Sequence, residues 1–171
     1  MSGAYRSPSL LRAGHVLDGF ECRSPEQTDW LRRHARQSVG VGTTRVLAVI
    51  PADSDVVVAY YAWCMASVTL VEAPPRVRKG AGRYPQPVAL LARLGVDVDH
   101  EGFGLGAGML RDVIVRTLAL GEEIGGRGLL VHAETVEARD FYLHLVPEFE
   151  ASPTDGMHLF LLMKDIRRTL H

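Results

Sequence analysis

The stretch from Val88 to Gly125 constrains the fold more than any other part of this chain. Val88, Leu90, Ala92, Leu94 and Val96 fall on one side of an extended segment, and Leu91, Arg93 and Gly95 on the other, because successive strand side chains alternate between faces. So apolar a run fits a strand covered on both faces. It leads into Glu101-Gly102-Phe103-Gly104-Leu105-Gly106-Ala107-Gly108. Beyond this corner Met109, Leu110, Val113, Ile114, Leu118 and Ile124 recur at helical spacing, which predicts a helix from about Gly106 to Gly125. A buried strand that turns through glycines into an amphipathic helix belongs to a layered α/β chain, not to an all-helical or all-β one.

The flanking sequence extends this pattern. Ser24 suits a helix N-cap and Pro25 the first helical position, so a helix should run from there to about Ser38, before Gly40 and Gly42. Arg45–Ile50 reads as a strand, Asp53–Asp55 as a turn, and Val56–Val71 as one or two strands. Pro74–Pro87 is a loop of Pro, Gly and Arg. Leu129–Ala133 is a second buried strand, Val136–Leu145 a helix with Ala138, Phe141, Tyr142 and Leu145 facing inward, and Leu159–Met163 a last strand. The expected fold class is therefore α/β (α+β): one domain over residues 1–171, with a mixed central sheet of about six or seven strands flanked by helices. A loose N-terminus over about 1–14 and an exposed tail over about 164–171 complete it.

Composition excludes several functions. The formal charge is −1, so no global field draws the chain to nucleic acid or membrane. Cys22 and Cys64 are its only cysteines, which is neither a disulfide framework nor a zinc site. His100, His132 and His144 lack a metal-ligand spacing and read as structural, so no metal is expected. Met1–Ala13 contains no long apolar run and no stretch is long enough to span a bilayer, so a soluble cytoplasmic protein is expected, with no membrane partner.

The glycine corner carries the chemistry. The first turn of a helix has amides without intrahelical acceptors, and the helix dipole adds positive charge there. Glycine allows backbone to approach a phosphate closely. Such a turn can cradle a pyrophosphate. A dinucleotide-binding fold would place it after the first strand; here it lies past the middle of the chain.

Leu91-Ala92-Arg93-Leu94-Gly95-Val96-Asp97, the Gly104-Leu105-Gly106-Ala107 turn, and Val131-His132-Ala133 through Ala138-Arg139-Asp140-Phe141-Tyr142 together resemble the GNAT acetyltransferases. More narrowly they resemble the TacT/AtaT-type toxins of bacterial toxin–antitoxin pairs, over about Phe20 to Met163. The resemblance implies a sheet splayed where acetyl-CoA lies. It places the pantetheine arm against backbone around Leu94, Gly95 and Val96 and the pyrophosphate on Phe103, Gly104, Leu105, Gly106 and Ala107. Tyr142 matches the family tyrosine that works beside the coenzyme sulfur. The match departs at Glu101 and Phe103, where the family usually has Gln or Arg and often a basic residue. It departs again at Val146-Pro147-Glu148-Phe149, which replaces a Gly-Phe.

The resemblance also implies the acceptor, the α-amine of an aminoacyl-tRNA, and the partners, a ribbon-helix-helix antitoxin and a second copy in a homodimer. Charge distribution agrees with an RNA substrate. Ala73–Val96 carries Arg76, Arg78, Lys79, Arg83 and Arg93 without an acidic residue, and Trp30–Ala52 carries Arg32, Arg33, Arg36 and Arg45 likewise. Arg93, inside a buried strand, is expected to face the cleft. Two other functions share the fold: a small-amine or protein N-acetyltransferase, and an acetyl-CoA-binding module weakened at Glu101 and Phe103.

Overall fold

The structure is a computed structural model that describes residues 3–170. The chain divides into two compact units, one holding the residues up to Cys64 together with Ala92–Asp112, the other Met65–Leu91 together with Val113 onward.

In the first unit the Ser24 hydroxyl accepts the Gln27 amide at 3.1 Å and Pro25 occupies the first helical position, the arrangement its sequence implies. The helix is α over Pro25–Asp29 (α1), widens to a π turn over Trp30–His34 and returns to α over Ala35–Gly40 (α2). Strands β1 (Ser9–Leu10) and β2 (Arg45–Val49) pair antiparallel, and β2 pairs antiparallel with β3 (Ala59–Val68), with Leu47 opposite Tyr61. The end of β4 (Gln86–Val96) adjoins β3, where Asp97 N–H donates to the Val58 carbonyl at 2.8 Å. Phe20, Leu31, Ala35, Val46, Ala48, Tyr60 and Ala62 form the core. Gly95 faces that core: a Cβ there would stand 3.3 Å from Cys22 Sγ and 3.4 Å from the Tyr60 ring.

In the second unit β4 pairs parallel with β5 (Gly128–His132), β5 antiparallel with β7 (His158–Leu162), and the short β6 (Glu150–Ala151) closes the edge beside β7. Val68, Val77, Val88, Leu130, Phe160 and Leu162 pack together. Helix α5 (Val136–Leu145) starts where the Thr135 hydroxyl accepts the Ala138 amide at 3.1 Å. The full strand order is β1-β2-β3-β4-β5-β7-β6, a mixed sheet of seven strands flanked by helices, as the sequence pattern leads one to expect.

Three elements differ from the sequence reading. Residues Met163–Leu170 are not an exposed tail but helix α6, with Ile166 fully buried and Asp165 3% exposed. Its charge density hides one short apolar stripe. The N-terminal segment is tied down by Tyr5 bridging Pro51 and by β1. The Pro74–Pro87 loop contains a short helix α3 (Pro75–Arg78), and β4 begins inside it at Gln86.

Candidate functional site

β4 and β5 pair only at Ala89–Leu129, Leu90–Leu130 and Leu91–Val131. β4 then continues to Val96, so the backbone from Ala92 to Val96 runs on beyond the last rung of that parallel ladder. Leu94 and Val96 are half-buried and Gly95 is buried. The strand ends at Asp97, whose carboxylate accepts the Glu21 amide at 3.0 Å and the Asp99 amide at 2.9 Å. A 3-10 turn over Val98–His100 carries the chain into the glycine corner.

At that corner Gly102 and Gly104 have φ of 81° and 79°, the left-handed region in which a side chain is strained. A Cβ at either would meet nothing within 4 Å. The turn is thus both glycine-dependent and open. Helix α4 (Leu105–Ile124) begins here, and the Gly108 amide makes the first helical bond, to the Gly104 carbonyl at 3.0 Å. The amides of Leu105, Gly106 and Ala107 precede that bond and have no intrahelical acceptor. Phe103 is 62% exposed, with its ring 6.1 Å from Tyr5, and Tyr5 Oη lies 2.8 Å from His100 Nδ1. Backbone donors in an open turn, at the positive end of a long helix, suit a multiply charged anion. The helix holds its place through Leu105, Met109, Leu110 and Val113, each at most 1% exposed; Ile124, expected on the same stripe, is exposed.

Glu101, immediately before the turn, does not stand alone. Arg23 Nε and Nη2 donate to its two carboxylate oxygens, both at 2.8 Å. This two-pronged pair raises the Arg23 guanidinium pKa, chiefly through the hydrogen bond. The sequence reading missed Arg23, which lies 78 positions away, and no local signal could have marked it.

In the second unit Tyr142 sits on α5 and is 5% exposed, with its ring 5.3 Å from that of Phe141 and 6.1 Å from that of Phe149. Phe149, part of the segment that departs from the family, therefore serves as packing for the tyrosine. Burial pushes the Tyr142 phenol well above its usual range, so it holds its proton at neutral pH. Its hydroxyl has no hydrogen-bond partner among the described residues.

The basic residues divide sharply. Arg76 Nη1 donates to Glu150 at 2.5 Å and to Asp165 at 2.9 Å, while Nη2 donates to Asp165 at 3.2 Å. These bonds hold the Asp165 carboxyl below its ordinary value. Arg127 Nη2 donates to the Arg76 and Val77 carbonyls, and Ser152 Oγ to the Glu72 carbonyl at 2.6 Å. Arg76 therefore anchors its segment. By contrast Arg78, Lys79 and Arg83 are exposed and form no ion pair among the described residues. In the first unit Arg93 donates to Glu26 at 3.1 Å and lies 4.9 Å above the Trp30 ring, which in turn stacks on Tyr60. Arg33 pairs with Asp29 at 3.0 Å, and Arg36 donates to the Arg12 and His15 carbonyls. Arg23, Arg32 and Arg33 line a groove of about 420 Å³ with Glu21, Cys22 and Asp29.

Among the described residues there is no cluster of His, Cys, Asp or Glu that could hold a metal ion, and no helix long and apolar enough to cross a membrane. His132 stacks on His158 with ring centroids 3.9 Å apart, and His158 faces Asp155.

A seven-stranded mixed sheet whose parallel β4–β5 ladder ends early, with a glycine turn opening the central helix, is the GNAT type of N-acetyltransferase fold. No protein-family profile matches the chain. A "tRNA-acetylating toxin" of Mycobacterium tuberculosis (strain ATCC 25618 / H37Rv) is 41% identical over 167 residues, which is 98% of this chain and 97% of that protein. The chain belongs to the family of tRNA-acetylating toxins. The solved structure of AtaT complexed with acetyl-methionyl-tRNAfMet superposes with a TM-score of 0.86 at 21% identity, covering 96% of this chain and 99% of that one. A tyrosine-to-phenylalanine mutant of AtaT, bound to acetyl-CoA and the C-terminus of the antitoxin AtaR, superposes with a TM-score of 0.79 at 20% identity over 95% of this chain and 96% of that one.

Proposed function

We propose that this chain transfers an acetyl group from acetyl-CoA to the α-amine of an aminoacyl-tRNA and thereby blocks translation. The observation that carries this reading is the open turn Gly102–Gly104, with the amides of Leu105, Gly106 and Ala107 behind it, in a chain 41% identical to a tRNA-acetylating toxin. The residues present fit the coenzyme. Backbone donors from Phe103 to Ala107 would hold its pyrophosphate, and the β4 backbone at Leu94, Gly95 and Val96 would pair with its pantetheine amides. When bound, acetyl-CoA supplies a thioester.

The remaining work is positioning and proton management. The neutral amine attacks the acetyl carbon, the C–N bond forms, the C–S bond breaks and the amine proton leaves to solvent. Tyr142, kept protonated by burial, donates its proton to the departing sulfur and recovers one from water. No acyl-enzyme is needed.

On the acceptor side Arg78, Lys79 and Arg83 meet tRNA phosphates as point charges. Arg76 acts differently from the free cation its sequence suggests: it holds the segment against Asp165 and Glu150. Arg93, held by Glu26 and the Trp30 ring, is also proposed for the acceptor side. A ribbon-helix-helix antitoxin as partner, a homodimer and a cytoplasmic setting complete the reading.

The test is incubation with labelled acetyl-CoA and total charged tRNA. Label on the amino acid of a charged tRNA supports the reading. Label only on small amines would favour the general acetyltransferase, and coenzyme binding without any transfer the inactive module.

A further inference from the structure

We propose that Arg23 is a positioning residue for the pyrophosphate turn, acting through Glu101: it cancels a carboxylate that would otherwise oppose the ligand's phosphates. The inference rests on the coenzyme reading above and concerns what makes this particular turn compatible with an anion.

The difficulty begins in the sequence. Glu101 directly precedes the open turn Gly102–Gly104. A carboxylate at that place repels a diphosphate docking on the amides of Leu105, Gly106 and Ala107. Glu101 is partly shielded, with a side-chain exposure of 33%, so it is not simply turned away into bulk water.

The fold answers with an arginine that lies 78 positions away in the sequence. Arg23 closes a fork on both Glu101 oxygens at 2.8 Å, the geometry in which guanidinium and carboxylate bind most specifically. The backbone around Arg23 is pinned on both sides. The Glu21 amide donates to Asp97 and the Val98 amide donates back to the Glu21 carbonyl at 2.9 Å. The Cys22 amide donates to Thr28 Oγ1 at 3.0 Å, and Ser24 caps α1. Asp97 is thus shared between the end of β4 and the segment that delivers Arg23. The arginine is held to the same frame as the turn it serves, while its own side chain stays 83% exposed.

This arrangement gives a coupling between two residues that a surface ion pair without function would lack. Removing Arg23 exposes the ligand to an uncompensated Glu101. Removing both charges leaves the backbone cradle nearly as it was.

The experiment is a calorimetric titration of the whole chain with acetyl-CoA at low ionic strength, for the wild type, Arg23→Ala, Glu101→Gln and the double variant. Arg23→Ala should weaken binding about fivefold, as expected for one unscreened unit charge a few ångströms from the phosphates. Glu101→Gln alone should bind no more weakly than wild type, because it removes the opposing carboxylate and leaves Arg23 as an uncancelled cation. The double variant should return to within about twofold of wild type, which is the diagnostic result. All four proteins should melt together, because the Arg23 side of the pair is exposed. Unchanged binding in Arg23→Ala would overturn the inference. A double variant as weak as Arg23→Ala would overturn it too, by showing that Arg23 meets the ligand itself. A wild type that does not bind acetyl-CoA would overturn the coenzyme reading and this inference with it.

Discussion

Replacing Tyr142 with phenylalanine isolates one oxygen. The ring lies against Phe141 and Phe149 and the residue is 5% exposed, so phenylalanine keeps nearly all of the packing. The hydroxyl has no hydrogen-bond partner among the described residues, so deleting it costs the fold less than about 1 kcal/mol. What disappears is a proton donor. Burial raises the phenol pKa above its ordinary value of 10.0, so at pH 7 to 9 the group is fully protonated. A positioned general acid contributes about 10²- to 10⁴-fold, or about 2.7 to 5.4 kcal/mol of barrier. Single-turnover transfer of labelled acetyl to charged tRNA should therefore fall by that factor in Tyr142→Phe. The affinity for acetyl-CoA and the melting temperature should stay with the wild type. The wild-type rate should show no decline from tyrosine ionisation up to about pH 10. An unchanged transfer rate would remove Tyr142 from the chemistry. An abolished rate accompanied by a large fall in melting temperature would make it a packing residue.

Three other outcomes follow from the structure. Neutralising Arg78, Lys79 and Arg83 together to Gln should raise KM for charged tRNA and lower the dependence of log KM on log salt by about one for each phosphate no longer engaged, leaving the melting temperature unchanged; an unaltered salt dependence would place the tRNA elsewhere. Gly128→Ala should prevent stable folding, because a methyl there would overlap the Leu161 carbonyl oxygen of the β5–β7 ladder, whereas Gly121→Ala, which meets only the flexible end of Met163, should fold; thermal melts of both decide it. His15, buried with Nδ1 accepting the Arg12 amide, has its pKa lowered by burial and then by Arg12. The folded state therefore holds it neutral, so its stability contribution is complete above about pH 6.5 and diminishes as pH falls below that value. The melting temperature should drop between pH 7.5 and 5.5, and less so in His15→Asn.

The strand, the glycine corner and the helix from Val88 to Gly125 can be read directly from their residues. Periodicity and glycine act locally: alternation buries a strand, and a positive φ selects glycine wherever it occurs. The cap at Ser24 and the helix carrying Tyr142 were legible for the same reason. Helix α6 was not, because a segment as charged as Lys164–Arg168 buries Ile166 only once a neighbouring sheet exists to receive it. The charge pattern was the larger surprise. Ala73–Val96 contains five basic residues and no acid, yet Arg76 and Arg93 are matched by carboxylates 89 and 67 positions away. Only the fold separates these from Arg78, Lys79 and Arg83, which form no ion pair among the described residues. The same holds for Glu101, whose sequence setting makes it an obstacle to an anion and whose partner Arg23 lies 78 positions distant. Local geometry is written in neighbouring residues, whereas electrostatic pairing depends on distance through space, and the folded arrangement of the chain sets that distance.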